Sequence, residues 1–166
     1  MDLSSRLGGT YKYFPLTLDA PPGDSNHLLT GCKGFGEADF VLWDRRAGQV
    51  LRQAVGHSQD ITCCSFLGRG EKARTFATGS KDGSLKFWSV LEGSSQDPVL
   101  HHHLRDGMYT GMSMGSDNLL WTSTLDGSIC CYSVVHGGEG SESGDMGLIL
   151  RGKRTPSTRS SSDPEK

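Results

Sequence analysis

The stretch FATGSKDGSLKFWSV, Phe76 to Val90, places Thr78, Ser80, Lys81, Asp82 and Ser84 close together. Hydroxyls beside an acid and an amine are the materials of an active site. They are equally the materials with which a repeated structural unit is tied. His101, His102 and His103 form a run, and in a strand His101 and His103 would share a face. No Cys or acidic pair stands near them at zinc-like spacing, so surface or structural histidines are the preferred reading and no metal is expected. Cys63-Cys64 and Cys130-Cys131 are vicinal pairs, with Cys32 the odd fifth cysteine. Neighbours in a strand point to opposite faces, so a bond within either pair would be strained. Nothing near them in sequence would depress a thiol pKa, and they read as small strand residues. The Gly-x-Gly of GCKGFGEAD has no helix after it to cap a phosphate and reads as a loop insertion. Ser, His and Asp are all present, but no nucleophile–base pair with its own orienting group stands out. Catalysis and cofactors are not expected.

The elements that must position these groups follow from composition and period. The chain has 166 residues, enough for one domain or part of one. Apolar residues make up only 34%, and 23 glycines point to many turns. A net charge of −2 exerts no global pull toward nucleic acid or anionic lipid. The odd cysteine count gives no disulfide framework and suits a reducing cytoplasmic or nuclear setting. No apolar run is long enough to span a membrane, and the N-terminus lacks a signal peptide's apolar stretch, so neither membrane insertion nor secretion is expected.

Trp43, Trp88 and Tyr132 recur at steps of 45 and 44 residues, each closing a short alternating run: DFVLWD, SLKFWS and SICCYS. Asp82-Gly83 lies six residues before Trp88, and Asp126-Gly127 six before Tyr132. Thr78 and Thr122 each stand ten residues before their aromatic. Between these markers lie further short β-rich runs joined by Gly, Asp and Ser turns, four to a period, with no convincing helical periodicity. The fold class is therefore all-β with four antiparallel strands per unit. The expected organisation is a lead at 1–10, three units at 11–55, 56–102 and 103–135, and a Gly/Ser/charged low-complexity tail at 136–166. That tail is expected to be largely disordered; only Gly147–Leu150 within it is apolar, a candidate remnant fourth strand after a long loop.

A period near 44 with four strands, Gly56-His57 opening the second unit and Trp43-Asp44 closing a strand of the first resembles the WD40-repeat β-propellers over about residues 11–135. The resemblance implies an internal tetrad in each blade: a loop His, a strand Ser or Thr, a turn Asp and a strand Trp. In the second unit these are His57, Thr78, Asp82 and Trp88. In the third they are His103, Thr122, Asp126 and Tyr132, a weaker set because Tyr lacks the indole N–H. The first unit has no matching loop His, carries Glu37 at the turn position and has about three extra residues between Thr30 and Trp43. Three blades, the last incomplete, make less than a ring, which suggests a fragment or shortened isoform of a longer protein.

The resemblance implies a non-catalytic protein-interaction scaffold whose contacts lie on loops: Lys33, Phe35, Glu37, Arg69, Lys72 and Arg105. Trp43, Asp44 and Arg46 form a W-D-x-R pattern similar to that of receptors docking on the adaptor of a cullin-4 ubiquitin ligase, where Arg46 would meet acidic groups. Thr155-Pro156 is a candidate proline-directed phosphorylation site. Arg151, Lys153, Arg154 and Arg159 form a basic patch, the basis of an alternative reading as a nucleic-acid-associated protein.

Overall fold

In the computed structural model the described residues are 14–21, 23, 26–33, 39–68, 73–90, 97–103, 107–136 and 146–155. They form twelve strands and no helix. Short runs rich in Val, Ile, Thr, Cys and aromatics, cut by Gly, Asp and Ser, favour pleated strands. Strands β1 (Pro15–Asp19), β2 (His27–Cys32), β3 (Phe40–Asp44) and β4 (Gln49–Ala54) make the first antiparallel sheet in chain order. Strands β5 (Ile61–Phe66), β6 (Thr75–Ser80), β7 (Ser84–Ser89) and β8 (Leu100–His103) make the second. Strands β9 (Tyr109–Met114), β10 (Leu119–Thr124), β11 (Ile129–His136) and β12 (Met146–Arg154) make the third.

Two of these assignments differ from the sequence expectation. The third sheet is not short of a strand: β12 pairs with β11 from Ile129↔Arg154 to His136↔Met146. This part of the tail is a strand and not disordered as expected; the expectation failed because Gly147, Gly152 and three basic residues dilute its apolar stretch. Alternation nevertheless lets Leu148 pack on the core while the charges stay outside. Second, His103 belongs to β8 of the second sheet, paired with Ser84, and does not open the third.

The three sheets stack as blades. β1 lies against β5, and β5 against β9, so the first strand of each blade is innermost. Alternation gives each blade two faces, and both faces of the second blade are buried. Leu29, Phe40 and Leu42 of the first blade meet Phe66, Phe76 and Trp88 of the second. Phe40 packs edge-on to Phe76 at 4.9 Å and tilted against Trp88 at 4.7 Å between ring centres. On the second blade's other side, Ala77, Leu85 and Phe87 meet Tyr109, Leu120 and Tyr132 of the third. The vicinal thiols divide accordingly, Cys64 in the first of these cores and Cys63 in the second.

Polar stitches join the innermost strands. The Asp19 carboxylate accepts the Phe66 N–H at 2.7 Å, and the Thr62 hydroxyl reaches the Tyr109 carbonyl at 2.5 Å. Glycine permits this close approach: a Cβ on Gly79 would sit 2.7 Å from Cys63 Sγ and 2.9 Å from Tyr109 Cβ. Gly79→Ala therefore overpacks the contact between the second and third blades. The expected cost is about 1–3 kcal/mol in urea denaturation of the chain. An unchanged midpoint would show that the innermost strands are free to separate.

Candidate functional site

The hairpin turn Lys81-Asp82-Gly83 is the most densely bonded polar site among the described residues. The Gly83 N–H meets the Ser80 carbonyl, and Gly83 takes a φ of 82°, a conformation that glycine adopts without a Cβ penalty. The turn delivers the Asp82 carboxylate beneath the loop that enters β5. There it accepts the Ser58 N–H at 2.9 Å and the Ser84 N–H at 2.8 Å. From the other blade, Asp39 accepts the Gly56 and His57 N–H groups, each at 2.5 Å. His57 is thus held from both sides and is 7% exposed.

Donor and acceptor logic fixes the rest. The Trp88 indole N–H can only donate, and Thr78 Oγ1 accepts it at 2.8 Å. The Thr78 hydroxyl proton is then free for His57 Nε2, also 2.8 Å away. With Nε2 an acceptor, the imidazole proton sits on Nδ1, which faces Ser84 Oγ at 2.7 Å and the Asp82 carboxylate at 3.3 Å. Ser84 Oγ donates onward to Asp82 Oδ1 at 2.5 Å. Every proton in the chain Trp88–Thr78–His57–Ser84–Asp82 has an acceptor. Burial pushes the Asp82 carboxyl upward, but the hydrogen bonds from His57, Ser84 and Ser58 outweigh it and hold the group far below the usual carboxylate range.

The structure thus brings His57, Thr78, Asp82 and Trp88 together. Sequence reasoning named Ser84 among the polar residues of the hairpin but gave it no place in the tetrad, and it missed Asp39. Ser84 was signalled by the repeated Asp-Gly-Ser of residues 82–84 and 126–128; Asp39 had no echo to reveal it.

The other two blades depart from this arrangement. In the first, the extra residues before Trp43 do not break the Thr–Trp contact: the Trp43 indole N–H reaches Thr30 Oγ1 at 3.1 Å. In the third, His103, Thr122, Asp126 and Tyr132 do not assemble. His103 is exposed on β8, 6.2 Å from the His101 ring in an edge-on contact. Asp126 turns into its own hairpin, accepting from Thr124 Oγ1 at 2.5 Å and from the Ser128 N–H and hydroxyl at 2.9 Å each. Those bonds hold its carboxyl down to about 2. Thr122 Oγ1 is buried with no hydrogen-bond partner. Tyr132 fills the aromatic position, and the His102 ring packs on it at 5.6 Å.

Of the partner-contact candidates, Phe35, Glu37, Arg69, Lys72 and Arg105 lie outside the described residues. Lys33 follows β2 with its ammonium 5.9 Å from the Phe14 ring centre. Trp43 is buried, so of the W-D-x-R residues it is not the one presented to solvent. Asp44 Oδ1 accepts the Arg46 and Ala47 N–H groups at 2.8 Å each, which fixes the turn and leaves the Arg46 side chain on the exposed surface. Arg151, Lys153 and Arg154 are exposed on β12, and Thr155 is exposed directly after it; Arg159 lies outside the described residues. The five cysteines are free and buried. Burial raises Cys32 and Cys63 to about 11 and Cys64 to about 12, which keeps these three as thiols at neutral pH.

Two substitutions separate the locked blade from the unlocked one. Thr78→Val strands the Trp88 N–H and His57 Nε2 in the core, and should cost about 1–3 kcal/mol in chemical denaturation. Thr122→Val removes a hydroxyl that bonds nothing, and should be neutral or stabilising. The pH dependence follows from the lowered Asp82 carboxyl. Its stabilisation is fully present above the unfolded carboxyl value of about 3.9 and drains away as pH falls below it. Asp82→Asn should lower stability at pH 7 and flatten the acid limb of a stability–pH curve.

Comparison with known proteins agrees with this geometry. The family model described as WD domain, G-beta repeat matches residues 48–89, which run from β4 of the first blade through β7 of the second. The chain is 30% identical over 104 residues to pre-mRNA-processing factor 19 of Oryza sativa subsp. japonica, covering 61% of this chain and 19% of that protein. It is 25% identical over 111 residues to the periodic tryptophan protein 2 homolog of Dictyostelium discoideum, covering 65% and 11%. The chain therefore spans between a tenth and a quarter of the length of these relatives. Among solved structures, the β-propeller domain of Myceliophteria thermophila Cps50 (Swd1) superposes with a TM-score of 0.58 at 13% identity, over 83% of this chain and 39% of that one. The computationally designed Ika4 protein superposes with a TM-score of 0.53 at 22% identity, over 70% and 65%. Residues 48–89 thus match a WD repeat, and the described residues form three successive four-stranded blades similar to those of β-propellers.

Proposed function

We propose that the chain is a non-catalytic protein-interaction scaffold, cytoplasmic or nuclear, of the kind the WD40 architecture supports. The observation that carries this reading is the fate of its polar groups. The His, Ser, Thr and Asp side chains best suited to acid–base work are consumed in a closed network whose members bond one another. Turns between the strands, such as that carrying Arg46, are presented to solvent, and connecting segments are where contacts with other proteins are commonly made.

A narrower form of the reading is docking on the cullin-4 ligase adaptor through Arg46. In its support, the Asp44 turn orders the backbone beneath Arg46 while its side chain stays on the surface. Purified adaptor titrated against the 166-residue chain should bind, and Arg46→Ala should weaken binding at least tenfold without shifting the denaturation midpoint. Failure of the intact chain to bind would remove the narrow form and leave the scaffold reading to affinity purification with mass spectrometry.

The alternative, nucleic-acid association, is supported by the exposed Arg151, Lys153 and Arg154 on β12. It requires affinity for single-stranded RNA or DNA that falls steeply with salt. A flat response would leave protein partners as the ligands.

A further inference from the structure

The two internal blade contacts are copies of one interface, and among the described residues both halves of a third are left unmated. Each blade has a front face that meets the next blade and a back face that meets the previous one. In the second blade the front face is Ala77, Leu85 and Phe87, each 0% exposed against the third blade. The equivalent positions one period later are Trp121, Ile129 and Cys131. Leu120, Cys130 and Tyr132 point toward the second blade, so Trp121 and Ile129 point away from it. Trp121 is 45% exposed and Ile129 51%. With Leu119 and Cys131 they line a groove of about 650 Å³. An apolar face of this kind on a blade is built to be covered.

The matching half lies at the other end. In the second blade the back face is Phe76, Thr78 and Trp88, which pack on the first blade. The first blade repeats it with Leu28, Thr30 and Trp43: Leu28 pairs with Trp43 as Phe76 pairs with Trp88, and Thr30 holds the indole as Thr78 does. Register puts Leu18 beside Thr30 and Val50 beside Trp43 on this same side. Leu18 is 68% exposed and Val50 37%. Front meets back at both internal contacts, so the open front of the third blade is complementary to a first blade's back.

Front-to-front pairing of two third blades is opposed by charge. Arg151, Lys153 and Arg154 line the groove with Trp121, and a two-fold axis through it would set like charges against each other. The first blade's back face is uncharged at Leu18, Leu28, Thr30 and Val50. A head-to-tail contact closes when its rotation returns to the start. Two chains of three blades make six, within the four to eight that propellers contain.

We propose that two copies of this chain close a six-bladed ring, the Trp121 and Ile129 face of each copy covering the Leu18, Leu28 and Val50 face of the other. This goes beyond the scaffold reading and is decided by mass alone. Sedimentation equilibrium of the 166-residue chain at micromolar concentration should give twice its 17.9 kDa. Trp121→Glu and Leu18→Glu, both at exposed positions, should each raise the dissociation constant at least tenfold while leaving the circular dichroism spectrum unchanged. Mixing the two variants should recover dimer beyond either alone, because one of the two junctions of the mixed ring is then intact. A monomeric wild-type chain would overturn the proposal, as would open polymers larger than two copies. So would a Leu18→Glu chain that dimerises as the wild type does, since that is the signature of front-to-front pairing.

Discussion

The arrangement of the second blade depends on one carboxylate. Asp82 sits on a hairpin turn between β6 and β7, yet it accepts hydrogen bonds from the loop entering β5 as well as from its own turn. It therefore joins segments more than twenty residues apart in sequence. Through Ser84 and His57 it also fixes the imidazole so that Thr78 can receive the Trp88 indole. Trp88 in turn supplies the aromatic surface on which the first blade packs. A buried polar chain of this kind is favourable only when every member is satisfied, and here each is.

The neighbouring blades show what happens when members are lost. The first keeps the Thr30–Trp43 contact and lends Asp39 to the loop that holds His57, so its polar residues serve the second blade's network. The third keeps the turn chemistry of Asp126 and Ser128 but no longer connects it to the aromatic strand. Its Thr122 hydroxyl is left buried and unbonded, and apolar packing around Leu120, Tyr132 and Val134 carries the blade instead. Local stability should grade accordingly along the chain, since polar locks and packed area both set the free energy of local opening.

Much of the fold could be read from the residues. The spacing of Trp43, Trp88 and Tyr132 marks one strand of each sheet, and the Asp-Gly pairs mark the hairpins that precede two of them. Side-chain alternation explains the cysteine pairs, which sit one on each face of their strand. What could not be read has a physical cause in each case. Strand β12 hides because glycine and basic residues interrupt its apolar pattern, while pairing with β11 supplies the order that local sequence does not. His103 was matched to a loop histidine by its place at the start of the third period, but it lies in β8, paired with Ser84, at the end of the second blade. Ser84 was passed over because one hydroxyl in a turn looks like any other until the imidazole is placed beside it.

For function, the same chain of bonds draws attention away from the residues that first suggest catalysis. His57 and Ser84 resemble an acid–base pair in isolation, but the protons between them are already committed and the site is closed by Trp88 and the incoming loop. Amide hydrogen exchange on the 166-residue chain tests this directly. The Ser58 and Ser84 N–H groups and those of β6 and β7 should be the slowest in the molecule, exchanging only through global unfolding. If they exchange as fast as the amides of β10 and β11, the network does not hold the second blade together and the account is wrong.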